Sequence, residues 1–428
     1  MHTLAKISFE SSQMVLVHAA CLTSNIVVIT HAQEYNLSMN RLQAFKYELI
    51  TNGEQRRKMS CFAGACRHVF NRALKLQIAT YEETKKRHSY PGLCKQLTTW
   101  RKDPERPWLL ETHSQILQQS LKDLGKAYIN FFEGRTSFPK IKKKGRSIDS
   151  FRYPQGCKLE QHNNRIFLPK IGWVRYRNSR DVLGDINNVT ISNNNGTWFV
   201  SIQTERLVEP PVPIATKAVG IDVGITRFAT LDDGSYIAPL NSFKKHQDRL
   251  KFYQRRMSRK QKGSKNWKKA VLKVQNTHST IANARKDYLH KITTTISKNH
   301  ALVCIEDLQV QNMSRSSKGN SEQHGRNVKQ KSGLNRSILD QGWGEFRRQL
   351  TYKTNWNGGI LMAVPSEYTS QTCPCCKHVS KDNRRKQAEF VCVECNYENH
   401  ADAVGAINVL ERGYRLLACG ELVPETVQ

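Results

Sequence analysis

The sequence predicts a chain of mixed α/β class with two main parts: a β-barrel that carries an inserted helical lobe, and a larger α/β domain that carries an inserted zinc ribbon. Three observations support this. Short strands with turn residues between them dominate residues 136–210, which favours a compact barrel. The stretch Pro210-Pro211-Val212-Pro213 is typical of a stiff linker. Two Cys-x2-Cys pairs then follow with fifteen residues between them, the spacing of a tetrahedral zinc site, although four unrelated buried or disulfide-bonded cysteines are the alternative.

The chain of 428 residues is long enough for two or three domains, and its charge is strongly one-sided. It has 67 Lys and Arg against 36 Asp and Glu, a formal net charge of +31. Such a surplus repels itself unless a polyanion neutralises it, so we expect nucleic acid as the partner and no membrane. Five of the twelve cysteines lie between residues 373 and 395, and no convincing secretory leader precedes them, so we expect a reducing cytoplasm.

The first 38 residues differ from the rest of the chain. Residues 14–32 are mostly apolar, but they include His18 and His31 and lack a small-residue cleavage site, which argues against both a membrane span and a leader. The organised pattern begins at Met39. We therefore expect residues 1–38 to be an extension that has no role in activity.

Two helices are predicted between the first strand of the barrel and the others. Asn52 with a glutamine three residues later is a capping signal for the first helix. A second apolar stripe runs from about Ser114 to Phe132. Together they form the predicted helical lobe, residues 54–135.

The barrel is predicted from residues 39–53 and 136–210. Its clearest element is a hairpin whose turn is Asn194-Asn195-Gly196, because Asn-Gly suits a tight turn between two strands. The α/β domain is predicted from residues 214–364 and 399–415, with the ribbon at 365–398 and a tail at 416–428.

The first strand of the α/β domain contains an acidic residue among glycines. Gly220, Asp222 and Gly224 share one face of this strand, opposite a face of valine and isoleucine. We therefore expect the Asp222 carboxylate on a face with room for a metal ion and a sugar-phosphate backbone.

Two further segments of this domain are strongly polar. A helical hairpin is predicted over residues 243–298, and residues 244–273 within it hold thirteen Lys or Arg and one acid. The Ser-, Gly- and Lys-rich stretch 312–333 is predicted to be a flexible loop.

Three acidic side chains occupy comparable places. Asp222 lies on a strand, Glu306 at a strand end and Asp402 at a helix start. Two Mg²⁺ or Mn²⁺ ions beside a phosphodiester need several carboxylate oxygens, and such hard ligands suit these ions. Each acid alone also has a structural explanation, as a turn residue, a loop cap or a helix N-cap. Together, in a chain of net charge +31 with a zinc ribbon, they predict a metal-dependent nuclease.

Several motifs resemble those of one family. Ile221-Asp222-Val223-Gly224, Ile305-Glu306-Asp307-Leu308 and the ribbon with His400-Ala401-Asp402 look like the three RuvC-type blocks of the TnpB family. These proteins are insertion-sequence-encoded RNA-guided nucleases, related to type V CRISPR effectors and often labelled transposases. Tyr368-Thr369-Ser370-Gln371 also resembles that family, and the resemblance covers roughly residues 39–415.

The resemblance implies an RNase H-like (RuvC) fold in which Asp222, Glu306 and Asp402 are catalytic ligands of Mg²⁺ or Mn²⁺. It implies four ligands for a structural Zn²⁺: Cys373, Cys376, Cys392 and Cys395. It further implies that the barrel, wedge-like in this family, and the lobe bind a guide RNA and the DNA flank. Double-stranded target DNA would be cut beside a short flanking motif, in the cytoplasm of a bacterium or archaeon at the nucleoid.

The ribbon departs from the family pattern in two ways. The family's Cys-x2-Cys knuckles usually end in glycine, whereas Lys377 and Asn396 follow here. A left-handed backbone at that place costs a lysine roughly 1–2 kcal/mol, while asparagine tolerates it. Cys375 is an extra thiol that could compete for the metal.

Two alternative functions stay open. A guide-directed DNA-binding protein or regulator of transposition that does not cut would share the charge and the ribbon, but the three carboxylates argue against it. An ATPase of the actin–hexokinase type would share the strand and Asp-x-Gly turn at Asp222. However, the sequence has no second phosphate hairpin or glycine-rich adenosine loop, and an ATPase would not explain the charge.

Overall fold

The computed structural model describes residues 18–20, 27–29, 38–145, 147–213, 215–320 and 324–420. The chain divides into two compact units, with the division between Glu209 and Pro210, at the predicted linker. Two short strands, β1 (His18–Ala20) and β2 (Val27–Ile29), pair with each other. The remainder of the predicted extension up to residue 37 and the end of the predicted tail lie outside the described residues.

Among the described residues of the unit from Ser38 to Glu209 there are four helices, all of which follow its first strand in the sequence. They are α1 (Gly53–Thr84), α2 (Tyr90–Arg101), α3 (Trp108–Glu111) and α4 (Ser114–Phe132). The predicted cap of α1 is confirmed, because Asn52 and Gln55 exchange backbone-to-side-chain hydrogen bonds in both directions. Helix α4 has the predicted bounds, whereas α2 and α3 were not predicted.

Seven antiparallel strands form the sheet of this unit. They are β3 (Met39–Ile50), β4 (Ser150–Tyr153), β5 (Lys158–Glu160), β6 (Arg165–Leu168), β7 (Gly172–Tyr176), β8 (Asp185–Asn194) and β9 (Thr197–Val208). Their order is β4-β8-β9-β3-β7-β6-β5. Among the described residues this series is open, with β4 and β5 at its ends, so closure into a barrel stays a prediction. The β8–β9 turn is confirmed at Asn195 and Gly196, whose φ angles are 52° and 90°.

The second unit is built on a five-stranded mixed sheet. Its strands are β10 (Ala218–Val223), β11 (Ala229–Leu231), β12 (Tyr236–Ile237), β13 (Leu302–Glu306) and β14 (Ile360–Val364), in the order β12-β11-β10-β13-β14. Strands β10 to β12 are antiparallel, while β10, β13 and β14 are parallel. The parallel strands are apolar and largely buried, as expected when helices cover both faces.

The described residues of this unit form six helices. They are α5 (Ser242–Ser258), α6 (Lys265–Asn299), α7 (Val310–Met313), α8 (Val328–Gln341), α9 (Trp343–Trp356) and α10 (Ala401–Ala418). Helices α5 and α6 form the predicted hairpin, and Ser264 caps α6 by accepting a hydrogen bond from the Trp267 amide. No helix of the described ranges is long and apolar enough to cross a lipid bilayer.

The predicted loop 312–333 is wrong at both of its ends. Helix α7 covers its first residues, and helix α8 begins at Val328. The last turns of the predicted loop are therefore helical although they contain Gly333. Lysine and glutamine are good helix formers, so a polar composition alone did not distinguish an exposed helix from a loop.

Helices α6 and α9 cover one face of the sheet, where Leu289, Phe346 and Leu350 join Val219 and Ile221 in one buried cluster. Helix α10 covers the other face. A Cβ on Gly220 would lie only 2.1 Å from the carbonyl oxygen of Ala406 in α10. The expectation of open space along this face is therefore wrong at Gly220, because the missing side chain makes room for a helix.

The predicted ribbon lies between β14 and α10. It contains a 3₁₀ turn (Lys381–Arg384) and two paired strands, β15 (Glu389–Val391) and β16 (Glu398–His400). Phe390 forms a small buried cluster with Cys373, Cys392 and Val404, the last of which belongs to α10. Strand β16 ends at His400 and α10 begins at Ala401, so no residue separates them.

Candidate active site and metal sites

Asp222 and Glu306 leave neighbouring parallel strands at the same edge of the sheet. Strands β10 and β13 are paired with Ile221 opposite Ile305, so Asp222 and Glu306 are the next residues in register. Side chains at equivalent positions of parallel strands point to the same face. The two carboxylates therefore lie on one face, and both side chains are half-buried.

Asp402 reaches the same place from helix α10. It lies in the first turn of that helix, whose N-cap is His400; the His400 Nδ1 accepts the Asp402 amide hydrogen at 3.1 Å. The interpretation of Asp402 as the helix cap is therefore wrong, and its carboxylate is available for another role. A Cβ on Gly405, one turn further along, would lie 3.1 Å from Oδ2 of Asp222, which shows how closely α10 approaches this acid.

The two neighbouring acids act electrostatically on Asp222. Burial, then the charges of Glu306 and Asp402, raise the pKa of Asp222 to about 8. Burial also raises the pKa of Glu306, against the opposing effects of a hydrogen bond from Thr369 and of nearby Arg412 and Arg384. A carboxylate whose ionisation is opposed by burial and by neighbouring negative charge, as at Asp222, favours a nearby cation.

The carboxylate group is wider than a single-ion cage. Among the described residues, four cysteines have donor atoms that lie as close together as the binding of one ion requires. The three acids do not belong to this group. A two-ion site spans more space, because its metals lie ~3.5–4 Å apart. The residues that would hold such ions are Asp222, Glu306 and Asp402, because hard oxygen donors suit Mg²⁺ or Mn²⁺.

The four cysteines fit a tetrahedral zinc ion. Their Sγ atoms all lie within 4.8 Å of one another, with 3.6 Å between those of Cys373 and Cys395 and 3.5 Å between those of Cys376 and Cys392. A Zn–S bond of ~2.3 Å implies an S–S edge of about 3.8 Å, close to these values. Cys375 is exposed and lies outside this group.

The structure accommodates the two residues that stand in place of glycine after the knuckles. Lys377 and Asn396 both have left-handed backbones, with φ of 64° and 56°, at equivalent places after the two knuckles. The Lys377 ammonium donates to the Pro374 carbonyl at 2.8 Å and to the Glu411 carboxylate at 2.5 Å. Glu411 belongs to α10, so the lysine connects the ribbon to that helix, which a glycine at 377 would not do.

Two polar residues beside the acids were not predicted. Arg384, in the 3₁₀ turn of the ribbon, places Nη2 at 3.5 Å from Oδ1 of Asp402. Its positive charge opposes the rise in the pKa of Asp222 and of Glu306. Thr369 donates its hydroxyl hydrogen to Oε1 of Glu306 at 2.7 Å. One arginine among 67 basic residues carries no distinguishing signal, although Thr369 lies in a motif that the sequence had singled out.

Three family models match the chain. One described as "Probable transposase" matches residues 187–317, and one described as "Cas12f1-like, TNB domain" matches residues 343–409. A third, described as "Helix-turn-helix domain", matches residues 39–86, which in the structure are strand β3 and helix α1.

A relative named "Putative RNA-guided DNA endonuclease InsQ", from Escherichia coli (strain K12), is 54% identical over 90% of this chain and 96% of its own length. The chain belongs to the TnpB family. A second TnpB-type relative, "Putative RNA-guided DNA endonuclease" of Streptomyces pristinaespiralis, is 33% identical over 89% of this chain and 91% of its own. The solved structure titled "Cryo-EM structure of the Cas12f1-sgRNA-target DNA complex" is 14% identical, covers 86% of this chain and 99% of that one, and has a TM-score of 0.33, which supports no conclusion about the fold.

Proposed function

We propose that this TnpB protein is an RNA-guided endonuclease that cuts double-stranded DNA beside a short flanking motif. Its relatives over nine-tenths of the chain carry the name of RNA-guided DNA endonuclease. The net charge of +31 supports a nucleic-acid partner. The observation that carries the proposal is the convergence of Asp222, Glu306 and Asp402 from two parallel strands and a helix.

The three acids are the proposed ligands of two Mg²⁺ or Mn²⁺ ions and therefore the catalytic residues. When bound, such ions supply Lewis acidity at the scissile phosphate and favour hydrolysis of the phosphodiester. The adjacent parallel strands fix Asp222 and Glu306 relative to each other, and the packing of α10 against Gly220 fixes Asp402 relative to both. Arg384 is placed to balance part of the negative charge of Asp402.

A fold and a set of domains accompany this proposed function. We propose that residues 214–364 and 399–415 form an RNase H-like (RuvC) nuclease domain, and that residues 39–53 and 136–210 form a closed, wedge-like barrel. The barrel and the lobe at residues 54–135 are the proposed contacts for guide RNA and the DNA flank, and the basic hairpin at 243–298 is a further proposed nucleic-acid contact. The extension 1–38 is proposed to be dispensable for activity.

The ribbon at residues 365–398 is proposed to hold one structural Zn²⁺ through four thiolates. Its ligands are Cys373, Cys376, Cys392 and Cys395. In this role the metal organises a segment that has little core of its own beyond Phe390, and it does not take part in cleavage.

The test of the catalytic assignment begins with RNA that copurifies with the full chain. Sequencing this RNA identifies the guide, and a plasmid with a matching target beside randomised flanks then reports cleavage in Mg²⁺ and in EDTA. We expect the wild type to cut only with the divalent ion. The Asp222→Ala variant should bind RNA and DNA as the wild type does and cut only at background.

Asp233→Asn is a matched control. Asp233 is an exposed acid in the turn between β11 and β12 of the same unit, and its Oδ1 accepts the Ser235 amide hydrogen at 2.8 Å, as an asparagine oxygen also can. This variant should cut at the wild-type rate. Full cleavage by Asp222→Ala would remove the assignment of Asp222, and binding without cleavage by the wild type would favour the non-cutting regulator. The ATPase alternative has no support among the matched families.

A further inference from the structure

The hydroxyl of Thr369 faces the carboxylate of Glu306. Thr369 is 3% exposed, and its Oγ1 lies 2.7 Å from Oε1 of Glu306 and 3.1 Å from the carbonyl oxygen of Ser366. A hydroxyl has one hydrogen to donate, and an ionised carboxylate is a stronger acceptor than a carbonyl. The shorter contact is therefore the hydrogen bond to Glu306, and it occupies one of the two oxygens of that acid.

The segment that carries Thr369 accepts hydrogen bonds from helix α10 at three backbone carbonyls. Asn408 of α10 is 3% exposed and donates both amide hydrogens, to Thr369 O at 2.8 Å and to Thr372 O at 2.7 Å. Arg412, one turn further along α10, donates to Pro365 O at 2.7 Å. The residues between β14 and the first knuckle therefore keep a fixed position relative to the helix of Asp402.

A strained residue precedes Thr369 directly. Tyr368 has φ of 58°, a left-handed conformation that a bulky side chain rarely adopts, and its own ring is exposed. Three hydrogen bonds to its carbonyl hold it there: the amides of Gln371 and Thr372, each at 3.0 Å, and the Thr372 hydroxyl at 2.8 Å. Strain that the surroundings maintain in this way is characteristic of segments that position a functional group.

We propose that Thr369 is a positioning residue that orients the Glu306 carboxylate, so that Oε1 is held by the hydroxyl and Oε2 is directed to a divalent cation. The inference rests on the proposed function, in which Glu306 is a metal ligand. It also assigns a role to Asn408 and Arg412, which connect Thr369 to the helix of Asp402. Residues of this kind behind a metal ligand typically contribute about 10–100-fold to metal affinity or activity.

Two substitutions of Thr369 separate orientation from packing. Thr369→Val keeps the shape of the side chain and removes the hydroxyl, whereas Thr369→Ser keeps the hydroxyl and removes a methyl group. Thr354→Val is the matched control. Thr354 is a fully buried threonine of α9 in the same unit, and its hydroxyl has no hydrogen-bond partner among the described residues. The same chemical change is made there without a carboxylate being affected.

The measurements are Mn²⁺ affinity of the full chain, followed by electron paramagnetic resonance, and the Mg²⁺ concentration that gives half-maximal cleavage by the guide-loaded protein. We expect Thr369→Val to weaken Mn²⁺ binding about 10–100-fold and to raise the Mg²⁺ requirement in parallel. Thr369→Ser should restore both to within about threefold, and Thr354→Val should match the wild type. If the valine variant does not fold, Thr369→Cys, a weak donor, takes its place with the same expectation.

Wild-type Mn²⁺ affinity in Thr369→Val would overturn the inference, as would an equal loss in the valine and serine variants, which would indicate packing alone. Glu306→Gln distinguishes this failure from that of the proposed function. If Glu306→Gln loses metal and cleavage while Thr369→Val keeps both, only the role of Thr369 is wrong. If Glu306→Gln keeps both, the assignment of Glu306 as a ligand is wrong.

Discussion

The close approach of helix α10 to strand β10 at Gly220 leads to a sharp prediction about the site. A Cβ placed on Gly220 would lie 2.1 Å from the carbonyl oxygen of Ala406, 2.7 Å from Cβ of Leu410 and 2.8 Å from the amide nitrogen of Leu410. Two of these three neighbours are backbone atoms, which cannot rotate away as the end of a side chain can. Gly220→Ala therefore requires the helix itself to move.

The size of the movement follows from the distances. Ordinary contacts of a Cβ begin at 3.4 Å, so a contact of 2.1 Å requires a displacement of about 1.3 Å (3.4 minus 2.1). Overpacking of this kind typically costs 1–3 kcal/mol of stability, and we expect the upper part of that range because backbone must shift. A misplacement of about 1 Å in a catalytic group costs roughly 10²-fold in rate. Asp402 moves with α10, so we expect cleavage to fall by about that factor.

The assay combines unfolding by urea with cleavage rates measured well below the melting temperature, so that loss of folded protein does not contribute. Gly333→Ala is the control, because a Cβ on that helical glycine meets no atom within 4 Å, and it should raise stability by up to about 1 kcal/mol and leave cleavage unchanged. If Gly220→Ala cut at the wild-type rate, the argument that α10 positions Asp402 by direct packing on β10 would be refuted.

Two further predictions concern the ribbon. Cys392→Ala should lower the zinc content from about one ion per chain to nearly none and abolish cleavage. Cys375→Ala should change neither, because Cys375 lies outside the four-thiol group. Metal analysis by mass spectrometry checks both variants, and an equal loss of zinc in the two would contradict the assignment. Lys377→Gly removes the strain of a left-handed lysine, roughly 1–2 kcal/mol, and loses an exposed ion pair to Glu411 that contributes at most ~1 kcal/mol. The stability of this variant in urea unfolding should therefore match or exceed that of the wild type. Lys377→Ala keeps the strain without the pair and should be less stable than Lys377→Gly; the reverse order would show that the ion pair dominates.

Signals local in sequence sufficed for much of the fold. The capping box at Asn52 and the turn at Asn195 and Gly196 depend on residues a few positions apart, and each is confirmed. The pairing of β10 with β13 could not be read in the same way. The sequence placed Asp222 on one strand, Glu306 at the end of another and Asp402 at a helix start, and each acid alone also had a structural explanation. The net charge, the ribbon and the resemblance to the TnpB family were what grouped the three acids as one predicted site.

What the sequence did not disclose depends on long-range packing. Periodicity shows which face of a strand is apolar or small, but not what covers it, so the glycine face at Gly220 was interpreted as open space although α10 fills it. The contacts of Arg384 and Thr369 with the acids span 18 and 63 residues along the chain. Nothing in the composition around either residue indicates those partners, and only the ribbon's fold brings them into place.

The direct succession of strand β16 and helix α10 has a consequence for attempts to make this protein smaller. Because His400 ends the strand and Ala401 begins the helix, no flexible linker separates the ribbon from α10. A shortened variant in which a flexible linker replaced the ribbon would retain all three acids. The first turn of α10 would then fray, and Asp402 would lose its fixed position. Successful trimming must therefore supply another rigid anchor at that junction.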